Sequence, residues 1–294
     1  MEINDKSKLA TWMILLGVVF WGATFVFIKQ AVNFVDVFSF LSVRFIIAGL
    51  LLCLIFCKKF KKYNREILWK GILIGSILAV AFILQTIGIK FTTASNAAFI
   101  IGLNVVIVPF IVAFLDKKIP NIKQILAIVL AIIGLGLITI KPGFSINTGD
   151  WLVALAAAVL AIHLVSVSRL VKKIDASLFS ITQLLTVGVI TGITGFIVNK
   201  EIVISNEYVV WQAILFCAIF ASAYMYTTQA YMQRYITELK AAIIFSFEPL
   251  FAAIIAFFYL GERMTLLAIG GGIIMLFAMV VSEFKKNIVS DTRG

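Results

Sequence analysis

The sequence predicts an all-α membrane protein with ten transmembrane helices, arranged as two five-helix repeats of inverted topology. Three observations lead to this prediction: the composition is strongly apolar, ten apolar runs reach bilayer length, and the two halves of the chain match. Of the 294 residues, 62% are hydrophobic and only 13% are charged, whereas soluble domains carry about 25% charged residues. A water-soluble core cannot hide this much apolar surface, so much of it must face lipid.

The ten apolar runs are separated by short segments that hold charged or turn-forming residues. A helix needs about 20 mostly apolar residues to cross the hydrocarbon core of a bilayer. The predicted spans are 10–28, 37–57, 67–89, 95–115, 122–140, 151–168, 177–198, 209–231, 240–260 and 265–283. The first run is too long for the core of a signal peptide and lacks a clear cleavage site of small residues. We therefore interpret it as the first helix.

The basic residues predict the orientation of the chain. Nineteen of the 25 Lys and Arg residues fall in segments on the side of the N-terminus, five fall on the opposite side, and Arg44 lies inside a run. Because cytoplasmic loops are enriched in Lys and Arg, we expect a multi-pass protein of the cytoplasmic (inner) membrane. Both tails, 1–9 and 284–294, are then cytoplasmic.

The same placement of charge argues against other classes of protein. The net charge of +11 comes from short loops between apolar runs, so it predicts topology and no binding of nucleic acid. The three cysteines lie inside apolar runs, and the chain has a single histidine. This composition predicts no metal site and no cofactor.

The two halves of the chain match when the sequence is shifted on itself by 144 residues, or by 139 in the earlier part. The polar and glycine matches are Gln85 with Gln229, Lys90 with Arg234, Thr93 with Thr237, Asp36 with Asp175, and Gly49 with Gly188. The repeats cover 10–140 and 150–283. Five helices in each repeat force the second half to enter the membrane from the opposite side. Inverted repeats are typical of secondary transporters, whose substrate site lies near the midplane between the repeats.

Two stretches of the first repeat and one pair of matching blocks carry a family resemblance. They are VVFWGATFVFIKQA (18–31), FSFLSVRFIIAGLLL (38–52), and the pair TTASNAAFIIGLNVVIVPFIVAFLDKKI and ITELKAAIIFSFEPLFAAIIAFFYLGERMT. They resemble the drug/metabolite transporter superfamily, with its duplicated EamA-type repeat, over about residues 10–283. The resemblance implies ten helices and a transporter, not an enzyme, that moves small metabolites, often amino acids and often outward. Asn104 stands where the family frequently has proline, with Pro109 further on.

Glu248 is the leading candidate for a site residue. It interrupts the apolar stretch AAIIFSFEPLFAAIIAFFYL (241–260), and a charged side chain at such a depth costs at least about 2.5 kcal/mol on insertion scales. The 144-residue shift places it opposite Asn104, so we expect both side chains near the middle of the membrane. We predict that Glu248 contacts the substrate or carries a coupled proton. The alternative is a helix-packing residue of the family's EP signature.

Five other residues are candidates for the same site. Arg44 lies inside the second apolar run, with Gln183 as its repeat partner, and it can hold a substrate carboxylate through two parallel hydrogen bonds. The alternative for Arg44 is a structural role, with its head bonded to carbonyls or extended towards water. Trp21 can line a pocket or simply pack. His163 is a second proton-coupling candidate, or a satisfied structural group, and Tyr226 is a possible lining residue.

We expect transport by alternating access, with one set of helices rocking against the other about a midplane site. Pro109 and Pro249 are predicted to interrupt their helices, whereas Gln85 and Gln229 are predicted to hydrogen-bond between helices. The expected partners are a small-molecule substrate, the lipid bilayer and a coupled proton, with the protein a monomer or homodimer. An intramembrane enzyme acting on lipids or peptides needs paired acids, or a nucleophile with a base, at membrane depth. A passive channel is the other alternative.

Overall fold

The computed structural model describes residues 3–92, 94–117, 120–139, 147–172, 174–260 and 266–283. Throughout these ranges the chain is helical or forms short connections, and it contains no strand there. The α-helices are α1 (Ile3–Ala31), α2 (Val37–Ile55), α3 (Arg65–Phe91), α4 (Ala94–Gly102), α5 (Asn104–Asp116), α6 (Ile122–Thr139), α7 (Thr148–Leu170), α8 (Ala176–Asn199), α9 (Tyr208–Phe216), α10 (Met225–Met232), α11 (Glu238–Phe245), α12 (Glu248–Leu260) and α13 (Leu266–Glu283).

Eight helical stretches are long and apolar enough to cross a membrane. They are Asp5–Ala31, Val37–Ile55, Arg65–Phe91, Ala97–Asp116, Thr148–Leu170, Ala176–Asn199, Tyr208–Tyr235 and Glu238–Tyr259. The chain is therefore a multi-pass, all-helical membrane protein. The remaining two predicted spans correspond to α6 and α13, whose apolar stretches, Ile122–Leu137 and Ile269–Ala278, are shorter. The total of ten crossings stays a prediction.

The N-terminal boundary differs from the prediction. α1 begins at Ile3, so most of the predicted tail 1–9 is already helical. Asp5 lies in the first turn, where a negative side chain interacts favourably with the positive end of the helix dipole. The predicted C-terminal tail, 284–294, lies outside the described residues.

The fourth and ninth predicted spans, 95–115 and 240–260, are each divided in two. The first division falls at Leu103, between α4 and α5, and the second at Ser246 and Phe247, between α11 and α12. At both places an amide donates to the carbonyl three residues back: Leu103 N to Ile100 O, and Phe247 N to Ile244 O. The interruptions therefore coincide under the 144-residue shift.

The prediction that Pro109 interrupts its helix is wrong. α5 continues through Pro109, and the interruption lies six residues earlier at Leu103. Pro249 does lie beside an interruption, as the second residue of α12. A proline is tolerated there because the first amides of a helix have no partner within that helix.

The eighth predicted span also changes character along its length. α9 passes into a π-helical segment, Cys217–Tyr224, before α10 begins, and a 3-10 turn, Gln233–Tyr235, follows. Segments of π-helix within membrane helices are frequent at functional sites. This one contributes Ser222 to the contacts described below.

Two of the sequence matches have a common physical role in both halves. Asp36 accepts hydrogen bonds from the amides at the start of α2, and Asp175 does the same at the start of α8. An Asp at this position satisfies amides that the helix itself cannot pair. The repeat has therefore kept the residue that begins its second helix.

Gly49 and Gly188 lie where α2 and α8 cross. A Cβ added to Gly49 would come within 2.4 Å of Leu185 Cδ2, and one added to Gly188 within 2.8 Å of Ile46 Cγ1. Close approach of membrane helices requires small residues. The repeat has therefore conserved its packing at the contact between its two copies of this helix.

The helix contacts follow the same exchange of halves. α2 packs on α8 and α6 on α13, which are repeat partners of one another. α3 of the first half packs on α7 of the second half. The repeat partner of α7 is α1, and the partner of α3 is the stretch formed by α9, the π-helical segment and α10; these also pack on each other. This arrangement leaves the two interrupted helices in the interior, next to α7 and α1 respectively.

Candidate functional site

A small cavity lies among helices from both halves of the chain. Its volume is about 40 Å³, on a scale where one water molecule occupies about 10–15 Å³. The residues that line it are Trp21, Thr24, Arg44, Phe82, Gln85, Ile101, Asn104, Leu160, His163, Leu164, Tyr226, Gln229, Phe245 and Glu248. Five of the six predicted substrate-binding residues, together with His163, are among them.

Glu248 is the first residue of α12 and lies at the interruption. Its side chain is only 5% exposed, and no hydrogen bond or ion pair reaches its carboxylate from any residue that the structure describes. The N-terminus of α12 favours a negative charge. α1 packs closely against this point, since a Cβ on Gly22 would lie 3.0 Å from the Glu248 carbonyl oxygen.

Arg44 is buried in the interior, with 1% of its surface exposed, so it does not extend towards water. Its Nε donates to Ser222 Oγ at 3.0 Å, and its guanidinium carbon lies 4.8 Å and 4.9 Å from the ring centres of Phe45 and Phe82. Buried Arg44 Nη1 has no hydrogen-bond partner in the described part of the chain. The two ring centres are themselves 4.8 Å apart, so both rings pack against one part of the guanidinium and leave Nη1 free.

The two charges are not paired with each other. Among the ion pairs of the described residues, none joins Arg44 to Glu248. Tyr226 lines the same cavity. The cavity thus holds one cation, one acid and an aromatic hydroxyl.

Two amide side chains add hydrogen-bonding capacity to the cavity. Asn104 begins α5, as Glu248 begins α12, and its buried Oδ1 has no partner among the described residues. Gln229, on α10, donates from Nε2 to Gln233 Oε1 at 2.9 Å, and its own Oε1 is buried without a described partner. Gln229 and Gln85, for which the sequence predicts hydrogen bonds between helices, both line the cavity. Their match across the repeat was the available signal.

Aromatic side chains form the apolar part of the lining. The Trp21 ring centre lies 5.6 Å from that of Tyr226 and 5.1 Å from that of Phe245. Trp21 Nε1 donates to Ala221 O at 2.8 Å, which fixes the indole. Phe82 lies 6.2 Å from Tyr226 and was not foreseen from the sequence.

Gln183 does not line the cavity, contrary to its predicted place there. Its Oε1 lies 2.9 Å from His163 Nε2. Gln183 therefore bonds to the imidazole of His163, and His163 itself lines the cavity. Since an amide oxygen only accepts, His163 Nε2 carries the proton in this contact. Gln183 acts on the site through His163.

Polar contacts join helix ends on the side that is predicted to be cytoplasmic. Arg169, at the end of α7, pairs with Asp116 at the end of α5, with 2.7 Å between Nη2 and Oδ1. Ser168 Oγ donates to Glu238 Oε1 at the start of α11, at 2.9 Å. α7 therefore ties together one end of each interrupted helix.

A second polar group lies on the same side, around Lys59. Its Nζ donates to Tyr231 Oη at 2.6 Å and to Ser177 Oγ at 2.9 Å. The bond to Tyr231 is the largest cause that raises the pKa of Lys59, so this amine stays charged at neutral pH. The group ties the segment before α3 to α8 and α10.

Apolar helices of bilayer length around a polar cavity are typical of membrane transporters, and comparison with known proteins identifies the particular family. The chain belongs to the EamA-like transporter family, whose sequence profile matches residues 8–140 and 147–283. The resemblance to the drug/metabolite transporter superfamily is thereby confirmed, and the family is one of transporters.

Three relatives are similar over nearly the whole of this chain. An uncharacterized transporter of Archaeoglobus fulgidus is 26% identical over 280 residues, which is 95% of this chain and 87% of the relative. The uncharacterized transporter YyaM of Bacillus subtilis is 28% identical, with 94% of each chain covered. A WAT1-related chloroplastic protein of Arabidopsis thaliana is 26% identical over 96% of this chain and 71% of its own.

A solved structure has the same fold. It superposes with a TM-score of 0.77 at 12% identity, covering 94% of this chain and 96% of the other. At that identity the likeness concerns the fold alone.

Proposed function

We propose that the protein is a secondary transporter that exports a small zwitterionic metabolite, such as an amino acid, by alternating access. The observation that carries the proposal is the cavity in which Arg44 and Glu248 are both buried and neither is paired with the other. Burying two ionisable groups without an oppositely charged partner is costly, and a ligand that supplies the missing charges recovers part of the cost. A metabolite with a carboxylate and an ammonium supplies both.

The contacts of each group support this orientation of a ligand. The free edge of Arg44 suits a carboxylate, which accepts hydrogen bonds from a guanidinium in fixed geometry. Glu248 suits an ammonium group, and the rings of Trp21, Phe82 and Tyr226 suit an apolar side chain between the two. Such a site prefers amino acids with an apolar or aromatic side chain.

Ten membrane crossings and inverted repeats are part of the proposal. The support comes from helix contacts that exchange between the halves and from interruptions at equivalent positions. α6 and α13, at 18 residues each, are of sufficient length to cross a bilayer. The distribution of Lys and Arg supports cytoplasmic termini in the cytoplasmic membrane.

Alternating access is supported by the size and the surroundings of the cavity. A volume of about 40 Å³ has room for roughly three water molecules, so a metabolite binds only after helices move. The interrupted helices offer bending points, and the contacts of Arg169 with Asp116 and of Ser168 with Glu238 hold one side closed. Export requires those contacts to open towards the cytoplasm.

Proton coupling through Glu248 and His163 is also part of the proposal. Both side chains line the cavity, and both are groups that can take up and release a proton during the transport cycle. Coupling would appear as movement of protons into proteoliposomes when substrate is driven outward. A pH-sensitive dye in the lumen measures this flux.

The transport proposal is tested first by counterflow in proteoliposomes. Vesicles loaded with an unlabelled amino acid should accumulate the same labelled amino acid transiently, because only a carrier exchanges label without a net driving force. A panel of amino acids, pre-selected by thermal stabilisation of the purified protein, identifies the substrate. Label that equilibrates without overshoot for every stabilising compound would indicate a channel and contradict the proposal.

Alternating access is tested separately by crosslinking. One cysteine pair replaces Asp116 and Arg169 at one end of the molecule. The other replaces Lys29 and Thr92 at the opposite end, where Lys29 Nζ donates to Thr92 O at 2.8 Å. A crosslink between positions 116 and 169 should stop export. A substrate that stabilises the state open to the cytoplasm should prevent this crosslink from forming. Full transport with the first pair crosslinked would rule the mechanism out.

A further inference from the structure

The orientation of the Gln229 amide is fixed by a chain of hydrogen bonds. Gln233 Nε2 donates to the backbone oxygen of Leu164 at 2.8 Å, and a carbonyl oxygen only accepts. Gln233 Oε1 therefore faces Gln229 and accepts from its Nε2. Turning the Gln229 amide over would place two acceptors against each other, so its oxygen is the atom that stays free.

Gln229 lines the cavity, and its free oxygen is buried. Gln229 is 1% exposed, and its Oε1 has no hydrogen-bond partner among the described residues. A buried acceptor without a donor is energetically costly. Two hydrogen bonds fix which atom of Gln229 stays free, so this acceptor is available to a donor that a ligand supplies.

Two further side chains in the cavity lining carry oxygen acceptors. Asn104 Oδ1 is buried and unpartnered within the described ranges, and the Glu248 carboxylate receives no hydrogen bond or ion pair from a described residue. Asn104 and Gln229 come from opposite halves of the chain, as do Asn104 and Glu248. Together the three side chains offer oxygen acceptors, one of which belongs to an ionisable acid.

We propose that Gln229 Oε1, Asn104 Oδ1 and the Glu248 carboxylate form a subsite for a cationic group that donates hydrogen bonds or coordinates oxygen. This inference rests on the proposed function, because it assigns one end of the transported ligand. A primary ammonium carries three N–H donors and one charge, which matches three oxygen acceptors. A free Na⁺ is also held by side-chain and carbonyl oxygens, at interrupted helices in other transporters.

Gln233 is a positioning residue in this arrangement. It does not line the cavity, and it sets which atom of Gln229 faces the ligand. Replacing Gln233 keeps the Gln229 side chain but removes the hydrogen bond that fixes its amide, so the oxygen and the nitrogen of Gln229 can exchange places. The expected effect is weaker binding of a cation with no effect on ligands that approach only Arg44.

The test measures thermal stability of the purified full-length protein in detergent with small probes. n-Butylammonium chloride should stabilise the wild type in a saturable manner, and tetramethylammonium chloride, which has the same charge and no N–H donor, should not. A comparison of NaCl with choline chloride at equal ionic strength shows whether free Na⁺ binds, as distinct from the ammonium group of a substrate. A shift with butylammonium alone assigns the subsite to the ammonium of a substrate, and a shift with Na⁺ alone assigns it to a free ion.

Variants distinguish the subsite from general effects. Gln229→Leu should weaken the apparent Kd for the active probe at least about tenfold, as expected for loss of a hydrogen bond to a charged group. Asn104→Leu provides a second variant, should the first fail to fold, and Gln233→Leu should weaken binding by a smaller factor. Thr86→Val is the matched control, because Thr86 Oγ1 is also buried and unpartnered among the described residues but lies outside the cavity lining.

The proposal is overturned if neither butylammonium nor Na⁺ stabilises the folded wild type, or if Gln229→Leu and Asn104→Leu bind the probe as tightly as Thr86→Val does. Equal stabilisation by tetramethylammonium would also overturn it, because acceptors would then have no role. Its failure is distinguishable from failure of the transport proposal. If an amino acid shows counterflow but no cation stabilises the protein, only the subsite proposal is rejected. If a cation stabilises the protein but no amino acid shows counterflow, only the transport proposal is rejected.

Discussion

The two interrupted helices share a backbone and differ in chemistry. α4 and α5 meet at Leu103, and α11 and α12 meet at Phe247, with the same hydrogen bond to the carbonyl three residues back. The first interruption is followed by Asn104 and Val105, and the second by Glu248 and Pro249. Since only one of them has an adjacent proline, the interruption is a property of the repeat and its packing, and the proline merely fits it.

The charges of the cavity are divided between the halves in the same unequal way. Arg44 belongs to the first half, and its repeat partner is the amide of Gln183. Glu248 belongs to the second half, and its repeat partner is the amide of Asn104. A duplicated framework has therefore become electrically asymmetric, with one cation and one acid in a shared cavity, and this difference suits a ligand that has a different charge at each end.

Glu248→Gln gives the largest expected effect on this asymmetry. The amide keeps the shape of the side chain and removes the charge, so counterflow of the transported amino acid should fall by about 10- to 100-fold, in line with hydrogen bonds to charged groups. Membrane insertion and Tm serve as controls for folding. A variant that transports at the wild-type rate with unchanged pH dependence would show that Glu248 is a packing residue.

Arg44→Lys tests the opposite end of the ligand. The ammonium keeps the positive charge but loses the planar group that packs against Phe45 and Phe82 and bonds to Ser222. We expect the apparent affinity for the amino acid to fall about tenfold, because a lysine cannot reproduce the paired hydrogen bonds to a carboxylate. Unchanged affinity in binding measurements would place the carboxylate of the ligand elsewhere.

Pro249→Ala should have little effect. Pro249 is the second residue of α12, where an alanine amide needs no partner within the helix, and the equivalent interruption forms without proline. Transport should stay within about threefold of the wild type, as for a change worth less than about 0.7 kcal/mol. Loss of transport with normal folding would mean that the proline itself maintains the interruption.

Val105→Pro should have the smallest effect on transport. It gives the first interruption the proline that the second one already has. It introduces a proline at the position of α5 that corresponds to Pro249, where the amide is again at a helix start. Val108→Pro, one turn further into α5, is the matched control and should destabilise the protein by about 3 kcal/mol or more. Similar melting temperatures of the two variants would argue that α5 does not begin at Asn104.

The sequence predicts the class of fold and much of the cavity, because those depend on signals that survive in one dimension. Apolar runs reveal spanning helices, and a lone Arg or Glu within them reveals a buried polar site, as with Arg44 and Glu248. The repeat match located Asn104 at the same depth. These signals need only the cost of placing polar groups in hydrocarbon.

Other features depend on three-dimensional packing and were missed for that reason. The interruption at Leu103 has no proline or glycine beside it, so no local preference marks it. Pro109 has such a mark, yet α5 accommodates it. Gln183 was placed in the cavity because it matches Arg44, but His163 lies between it and the cavity, a relation that no periodicity records. Which atom of Gln229 stays free follows only from contacts with Gln233 and Leu164.

The most direct test of the account asks whether a ligand occupies the space in front of Glu248. An apolar carbodiimide should label the Glu248 carboxyl of the purified protein, as identified by mass spectrometry of the peptide that contains it. An amino acid that stabilises the protein should protect Glu248 from this label in a saturable manner, and its N-acetyl derivative, which lacks the ammonium, should not. Labelling of Glu248 that is unchanged at saturating concentrations of the stabilising amino acid would contradict the account.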